Sequence, residues 1–303
     1  MRRRRLFGRV AIGLGIVVLA LVAYLGALFA QTPDVSHLRD AQPTQTSFMH
    51  VRAAERTSAA ADRVEWIDLG QVSPYLVCAI IKAEDRGFFR HSGFEWAQLR
   101  KALWGHVTGG SGIGGSTITQ QLARNLYLSP ARTLHRKVRE ALITRRLESS
   151  LDKRRILELY LNVVEWGDGV WGVTQAARAY FGRSPAELGL FEAAFLASLL
   201  PAPRAHLHGK DLDRAVTEER RVLHQLVVSE LIDHAAFSDA RARVALLASS
   251  LSRGESLAQA LQAATTPASR ARPLELLEVL ANECGLAHEL TAVARARRLV
   301  KQR

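Results

Sequence analysis

The acid pair Glu84-Asp85 follows the apolar run Leu76 to Ile81 and precedes a glycine-rich stretch, Gly109-Gly-Ser-Gly-Ile-Gly-Gly115. A carboxylate so placed can serve as a general base. Two adjacent carboxylates at a helix end point in different directions, so one can act while the other supports it. Downstream, Gly114-Gly-Ser-Thr-Ile-Thr-Gln-Gln-Leu-Ala-Arg-Asn125 reads as glycines opening into a helix near Ser116 or Thr117. The amides and hydroxyls of such a start favour anions. Arg136 and Lys137 stand four and three residues before Glu140, a spacing that a helix turns into one face. Lys153 opens another helical run in which Ile156, Leu157, Leu159 and Leu161 are core candidates, with Tyr160 and Asn162 as scaffold hydrogen bonders.

Each of these features has a plainer reading. A single glutamate such as Glu84 is more commonly an N-cap or surface ion-pair residue. Ser116 and Thr117 could do no more than cap a helix. Arg136, Lys137 and Glu140 could be a surface salt bridge worth a few tenths of a kcal/mol. Two carboxylates flanking a sugar also describe glycosidases, and the sequence gives no distance between Glu84 and Glu140.

The elements that must position these residues begin with an anchor. From Val10 to Ala30 no side chain is charged, which matches the about 20 residues that a helix needs to cross about 30 Å of hydrocarbon. A cleaved signal peptide has an apolar core of only about 7–15 residues, so an uncleaved span is the expectation, although Ala27-Leu-Phe-Ala30 weakly imitates a cleavage site. Arg2 to Arg5 and Arg9 precede the span and should stay cytoplasmic, which sends the rest of the chain across the membrane. The net charge of +12 and isoelectric point near 10.4 would otherwise suggest nucleic acid. That topology points instead to lipid headgroups and lipid-linked pyrophosphates, and no nucleic-acid partner is expected.

The expected organisation is a basic tail at 1–9, a transmembrane helix at 10–30 and a linker at 31–65. A folded domain at 66–240 and a helical C-terminal extension at 241–303 complete it. Apolar positions recur at helical spacing in Val138 to Leu147, Ile156 to Val164 and Leu190 to Leu200, so the domain is mainly α. A further helix pair is expected over Gly209 to about Asp239, and amphipathic helices over Leu246 to Ala264 and Pro273 to Leu299. Cys78, within Leu-Val-Cys-Ala-Ile-Ile, reads as a small buried hydrophobe. Its compartment would permit a disulfide with Cys284, and whether the two pair stays open. No metal site or thiol nucleophile can be built from two cysteines.

Taken in order, the motifs resemble those of the peptidoglycan glycosyltransferases, in their monofunctional biosynthetic branch. The pattern Glu-Asp-x-x-Phe-x-x-His-x-Gly is met by Glu84, Asp85, Phe88, His91 and Gly93, and the likeness runs from about Val72 to His206. Val164-Glu-Trp-Gly-Asp-Gly-Val170 resembles the monofunctional proteins more than the bifunctional ones. Ser150-Leu-Asp-Lys153 formally reads Ser-x-x-Lys, but it overlaps the fourth motif and has no transpeptidase partners.

The resemblance implies a lysozyme-like fold and an inverting polymerisation of lipid II into β-1,4 glycan, with undecaprenyl pyrophosphate released; the alternatives are a membrane-anchored lysozyme-like glycan hydrolase and a non-catalytic cell-wall scaffold. It implies Glu84 as base, with Glu140 stabilising the reacting centre or helping to hold a divalent cation, magnesium or manganese. No organic cofactor is implied. Substrate contacts would come from Ser116, Thr117, Gln120, Gln121, Arg124, Asn125, Arg136, Lys137 and Lys153. Arg124 and Arg183 stand where the family usually has lysine, and an arginine fork is not interchangeable with an ammonium at a phosphate site. Lipid II, the growing strand, membrane lipid and other cell-wall synthesis proteins are the implied partners. The implied location is a bacterial inner membrane, crossed once, with the domain in the periplasm. Phe94 to Val107, with Trp96, Leu99, Leu103 and Trp104, could dip into the bilayer or form a core helix.

Overall fold

The computed structural model describes residues 2–55, 64–96, 100, 115–205, 209–265 and 284. Its helix α1 (Arg2–Ala30) includes a 19-residue stretch, Ile12–Ala30, long and apolar enough to cross a membrane. Within that stretch nearly all side chains face outward, as lipid-facing residues would. At its far end Tyr24 Oη lies 2.6 Å from His135 Nδ1, and Arg146 donates to the carbonyls of Thr32 and Pro33. The span is thereby fastened to the domain that follows.

The expected linker 31–65 contains folded structure. A helix α2 (Ser47–Glu55) buries Phe48 and Met49, and Val35 and Leu38 join the same core. Nine residues give too short a run for helical periodicity to stand out, so the sequence reads there as irregular.

The centre is α3 (Pro74–Glu84), in which every residue from Pro74 to Ile81 is buried. Pro74 occupies the first helical position, where its missing N–H costs nothing, and Ser73 Oγ donates to the Leu188 carbonyl. A helix apolar on all sides must be surrounded. Two further helices, α8 (Leu190–Leu199) and α9 (Gly209–Val228), pack directly on α3.

On the other side lie α4 (Ile118–Tyr127), α5 (Leu134–Ser150) and α6 (Lys153–Val163), with α4 packed on α2, α5 and α6. Each start is capped as its sequence directs. Thr117 and Gln120 form a reciprocal capping box, Thr133 accepts from the amide of Arg136, and Asp152 accepts from that of Arg155. A small antiparallel hairpin, β1 (Glu165–Gly167) with β2 (Val170–Trp171), pairs Glu165 with Trp171 and leads into α7 (Gly172–Phe181). The mainly α architecture is as the periodicity indicates.

Beyond the expected domain end, α10 (His234–Ser252) and α11 (Leu257–Ala264) pack on one another and on α7, α8 and α9. The stretch Leu246 to Ala264, expected as one helix, is broken at Arg253–Gly254–Glu255. Arg243 ties the layer together, holding Asp239 with two nitrogens and the Ala264 carbonyl with a third contact. Cys78 is buried as expected and is also bonded to Cys284, with Cα atoms 5.6 Å apart. Pro273 to Leu299, apart from Cys284, lies outside the described residues, as do 97–99 and 101–107.

Candidate active site

The end of α3 delivers Glu84 and Asp85 to different tasks. Asp85 is 2% exposed; its Oδ1 is 2.8 Å from His91 Nε2, and its Oδ2 accepts from the backbone amide of Ile118 at 3.1 Å. That amide opens α4, so a buried carboxylate sits against the positive end of the helix, where charge is favoured. Glu84 keeps some exposure, and its Oε2 accepts from Gln121 Nε2 at 2.7 Å. Burial pushes the Glu84 carboxyl above its ordinary range. The Gln121 hydrogen bond, Arg221 and Arg124 pull it down, and Glu218 adds to the rise.

Gly93 links the first motif to the second. Its φ is +86°, and a Cβ there would lie 2.7 Å from Thr144 Cγ2, so glycine is needed for both reasons. Its carbonyl accepts from Thr117 Oγ1 at 2.7 Å. Thr117 and Gln120 are thus committed to capping α4 and to Gly93, and Asn125 Nδ2 donates to the Gln121 carbonyl within the same helix. These three expected substrate residues are buried scaffold.

The cations are distributed unevenly. Glu140, 2% exposed, is bracketed by Arg136 Nη1 at 2.5 Å and by Lys137 Nζ. Lys137 also donates to Ser116 Oγ at 3.0 Å, which brings the loop before α4 to the face of α5. Arg124 makes no described hydrogen bond or ion pair and lies 5.7 Å from the centroid of the Phe48 ring. Its Nε is buried without a partner, so it is a cation held in place by α2 with charge to spare. Lys153 instead pairs with Glu148 at 2.7 Å and covers the Phe88 ring, joining α6 to α5.

Sequence reasoning missed Phe48, Arg221 and Glu218. Nothing local marks them, since Phe48 reaches Arg124 from α2 and the other two influence Glu84 from α9. Tyr160, expected as a scaffold residue, donates to Gln121 Oε1 at 3.1 Å. Asn162 fits that expectation more simply, exchanging hydrogen bonds with the backbone of Ile67.

Asp85, His91 and Glu95 each offer a ligand atom within 4.8 Å of the others, a grouping of the kind that can hold a metal ion. Hydrogen bonds already use part of this donor set. Both Asp85 oxygens are engaged, His91 Nδ1 accepts from the Gly93 amide at 3.1 Å, and its Nε2 faces Asp85. A neutral imidazole in that arrangement has no free lone pair for a metal. His91 is therefore not available as arranged, and a cation here would rest on the carboxylates of Asp85 and Glu95.

Comparison with known proteins agrees with this geometry. The sequence model of the transglycosylase family matches residues 51–227. A biosynthetic peptidoglycan transglycosylase of Azoarcus sp. (strain BH72) is 47% identical over 183 residues, covering 59% of this chain and 78% of the relative. Relatives of the same name from Aromatoleum aromaticum and Laribacter hongkongensis are 45% and 43% identical, covering 64% and 60% of this chain and 86% and 82% of theirs. With the matched stretch containing Glu84, Ser116, Arg124, Lys137 and Glu140 in the arrangement described, the chain belongs to the transglycosylase family.

Proposed function

We propose that this protein polymerises lipid II into linear β-1,4 glycan strands of peptidoglycan, releasing undecaprenyl pyrophosphate, at the periplasmic face of a bacterial inner membrane. The growing strand is the donor and lipid II the acceptor. Glu84 takes the proton from the 4-hydroxyl of the acceptor GlcNAc as its oxygen bonds to the anomeric carbon of the donor MurNAc. The bond from that carbon to the pyrophosphate oxygen breaks, its electron pair leaves with the pyrophosphate, and attack from the opposite face turns an α link into a β link. Arg124, with Arg136 and Lys137 around Glu140, meets the charge that develops on the leaving group.

One observation carries the choice of a transferase over a glycan hydrolase. Both Glu140 oxygens are occupied by cationic donors, Oε2 by Arg136 Nη1 and Oε1 by Lys137 Nζ, so neither is presented to a leaving-group oxygen. A hydrolase needs an acid there to protonate a poor leaving group, whereas pyrophosphate departs without one. A divalent cation, magnesium or manganese, enters this proposal as a companion of the substrate diphosphate, since hard cations prefer such oxygens. The residues' own steps do not pass through it. Other cell-wall synthesis proteins are proposed partners.

The test is to give the full chain, in detergent, labelled lipid II in one reaction and finished glycan strands in another, and to size the products. Polymer from lipid II with finished strands left intact supports the reading. Shortened strands without polymer would replace it with hydrolysis.

A further inference from the structure

Tyr160 is wholly buried on α6, so it cannot touch a substrate in this structure. Its hydroxyl nonetheless reaches the site. Tyr160 Oη lies 3.1 Å from Gln121 Oε1, and Gln121 Nε2 lies 2.7 Å from Glu84 Oε2. The same Nε2 is 3.5 Å from the carbonyl of Ser116, whose Oγ accepts from Lys137, the partner of Glu140. One buried phenol thus stands behind a network that touches both the base and the cation group.

We propose that Tyr160 is a positioning residue for glycosyl transfer, fixing the Gln121 amide so that its N–H groups face Glu84 and the Ser116 carbonyl. A glutamine amide can present either its oxygen or its nitrogen to a neighbour. Donation from Tyr160 occupies the oxygen and leaves only the nitrogen for Glu84. Burial holds the phenol well above its usual pKa, so it remains a donor throughout the working range. The consequence is a carboxylate kept in one orientation while it awaits the acceptor hydroxyl, and small misplacements of such a group are costly.

This inference rests on Glu84 being the base, and the experiment separates the two. Initial polymerisation rates on lipid II are compared for Tyr160→Phe, Gln121→Ala, the double variant and Glu84→Gln, with thermal melts for each. Phenylalanine keeps the buried ring and removes only the donor. The expected result for Tyr160→Phe is a kcat lowered about tenfold with KM within about twofold, as for a group that acts only in the transition state. The double variant should be no slower than Gln121→Ala, since the phenol acts through the amide. A normal kcat for Tyr160→Phe, or effects that multiply in the double variant, would overturn the role of Tyr160 while a dead Glu84→Gln left the base assignment standing. A fully active Glu84→Gln would overturn the base assignment itself.

Discussion

Asp85 Oδ2 accepts the backbone amide of Ile118 at 3.1 Å, so the carboxylate beside the proposed base is part of the frame that holds α4 against α3. The adjacent acids divide a chemical task from a structural one. Asp85→Asn keeps the shape but removes the charge from two buried hydrogen bonds. It should cost about 1–3 kcal/mol of stability, read as a lower denaturant midpoint, whereas Glu84→Gln should not destabilise.

The raised pKa of Glu84 fixes the sign of two pH effects. Its base form is lost as pH falls through the raised value, so the acid limb of kcat/KM should lie above the ordinary glutamate range. For stability, the folded state holds a proton on Glu84 that the unfolded state has released between the ordinary and the raised value, so this group lowers stability as pH rises through that window. Glu84→Gln should therefore melt at or above the wild-type temperature near pH 7.5, and the difference should vanish below about pH 4, under the unfolded value. Melting curves at the two pH values check this.

Arg124 is the described cation near the site with no ion-pair partner, and its guanidinium carbon lies 5.7 Å from the centroid of the Phe48 ring. Arg124→Ala should lower kcat/KM about 10–100-fold, the loss of one charge-assisted contact to an anion, with little change in melting temperature. Arg124→Lys should recover only part of this, because an ammonium does not reproduce the multi-donor fork that a guanidinium offers a phosphate. Steady-state kinetics on lipid II distinguish the three proteins.

Much of the site's local frame was legible in the sequence. Thr117 with Gln120, and Asp152 before α6, are capping patterns that need only neighbours to operate. Arg136, Lys137 and Glu140 meet because they share one helix. Phe48 under Arg124, Tyr160 behind Gln121 and Cys284 against Cys78 were not legible. Each joins separate elements, and the pairing depends on how helices pack, which local spacing does not encode. Thr117, Gln120 and Asn125 show that residues in a functional motif can also build the helix that carries it.

The Cys78–Cys284 bond ties position 284 to α3, the helix that ends at Glu84, across 206 positions of sequence. Removing it should cost about 2–5 kcal/mol, mostly by freeing the unfolded chain. Cys284→Ser should accordingly melt below the wild type under non-reducing conditions, and wild-type protein unfolded without reductant should show no free thiols. Two titratable thiols and equal melting temperatures would contradict the pairing.

The central claim is that Glu84 is the base of a lipid II polymerase, and the rate of polymer formation by Glu84→Gln near pH 7.5 tests it most directly. Loss of a general base predicts a fall of about 10²–10⁴-fold in a protein that is folded by its melting curve. A folded Glu84→Gln that polymerises lipid II within about threefold of the wild-type rate would contradict it, because that is far less than removal of a proton acceptor should cost.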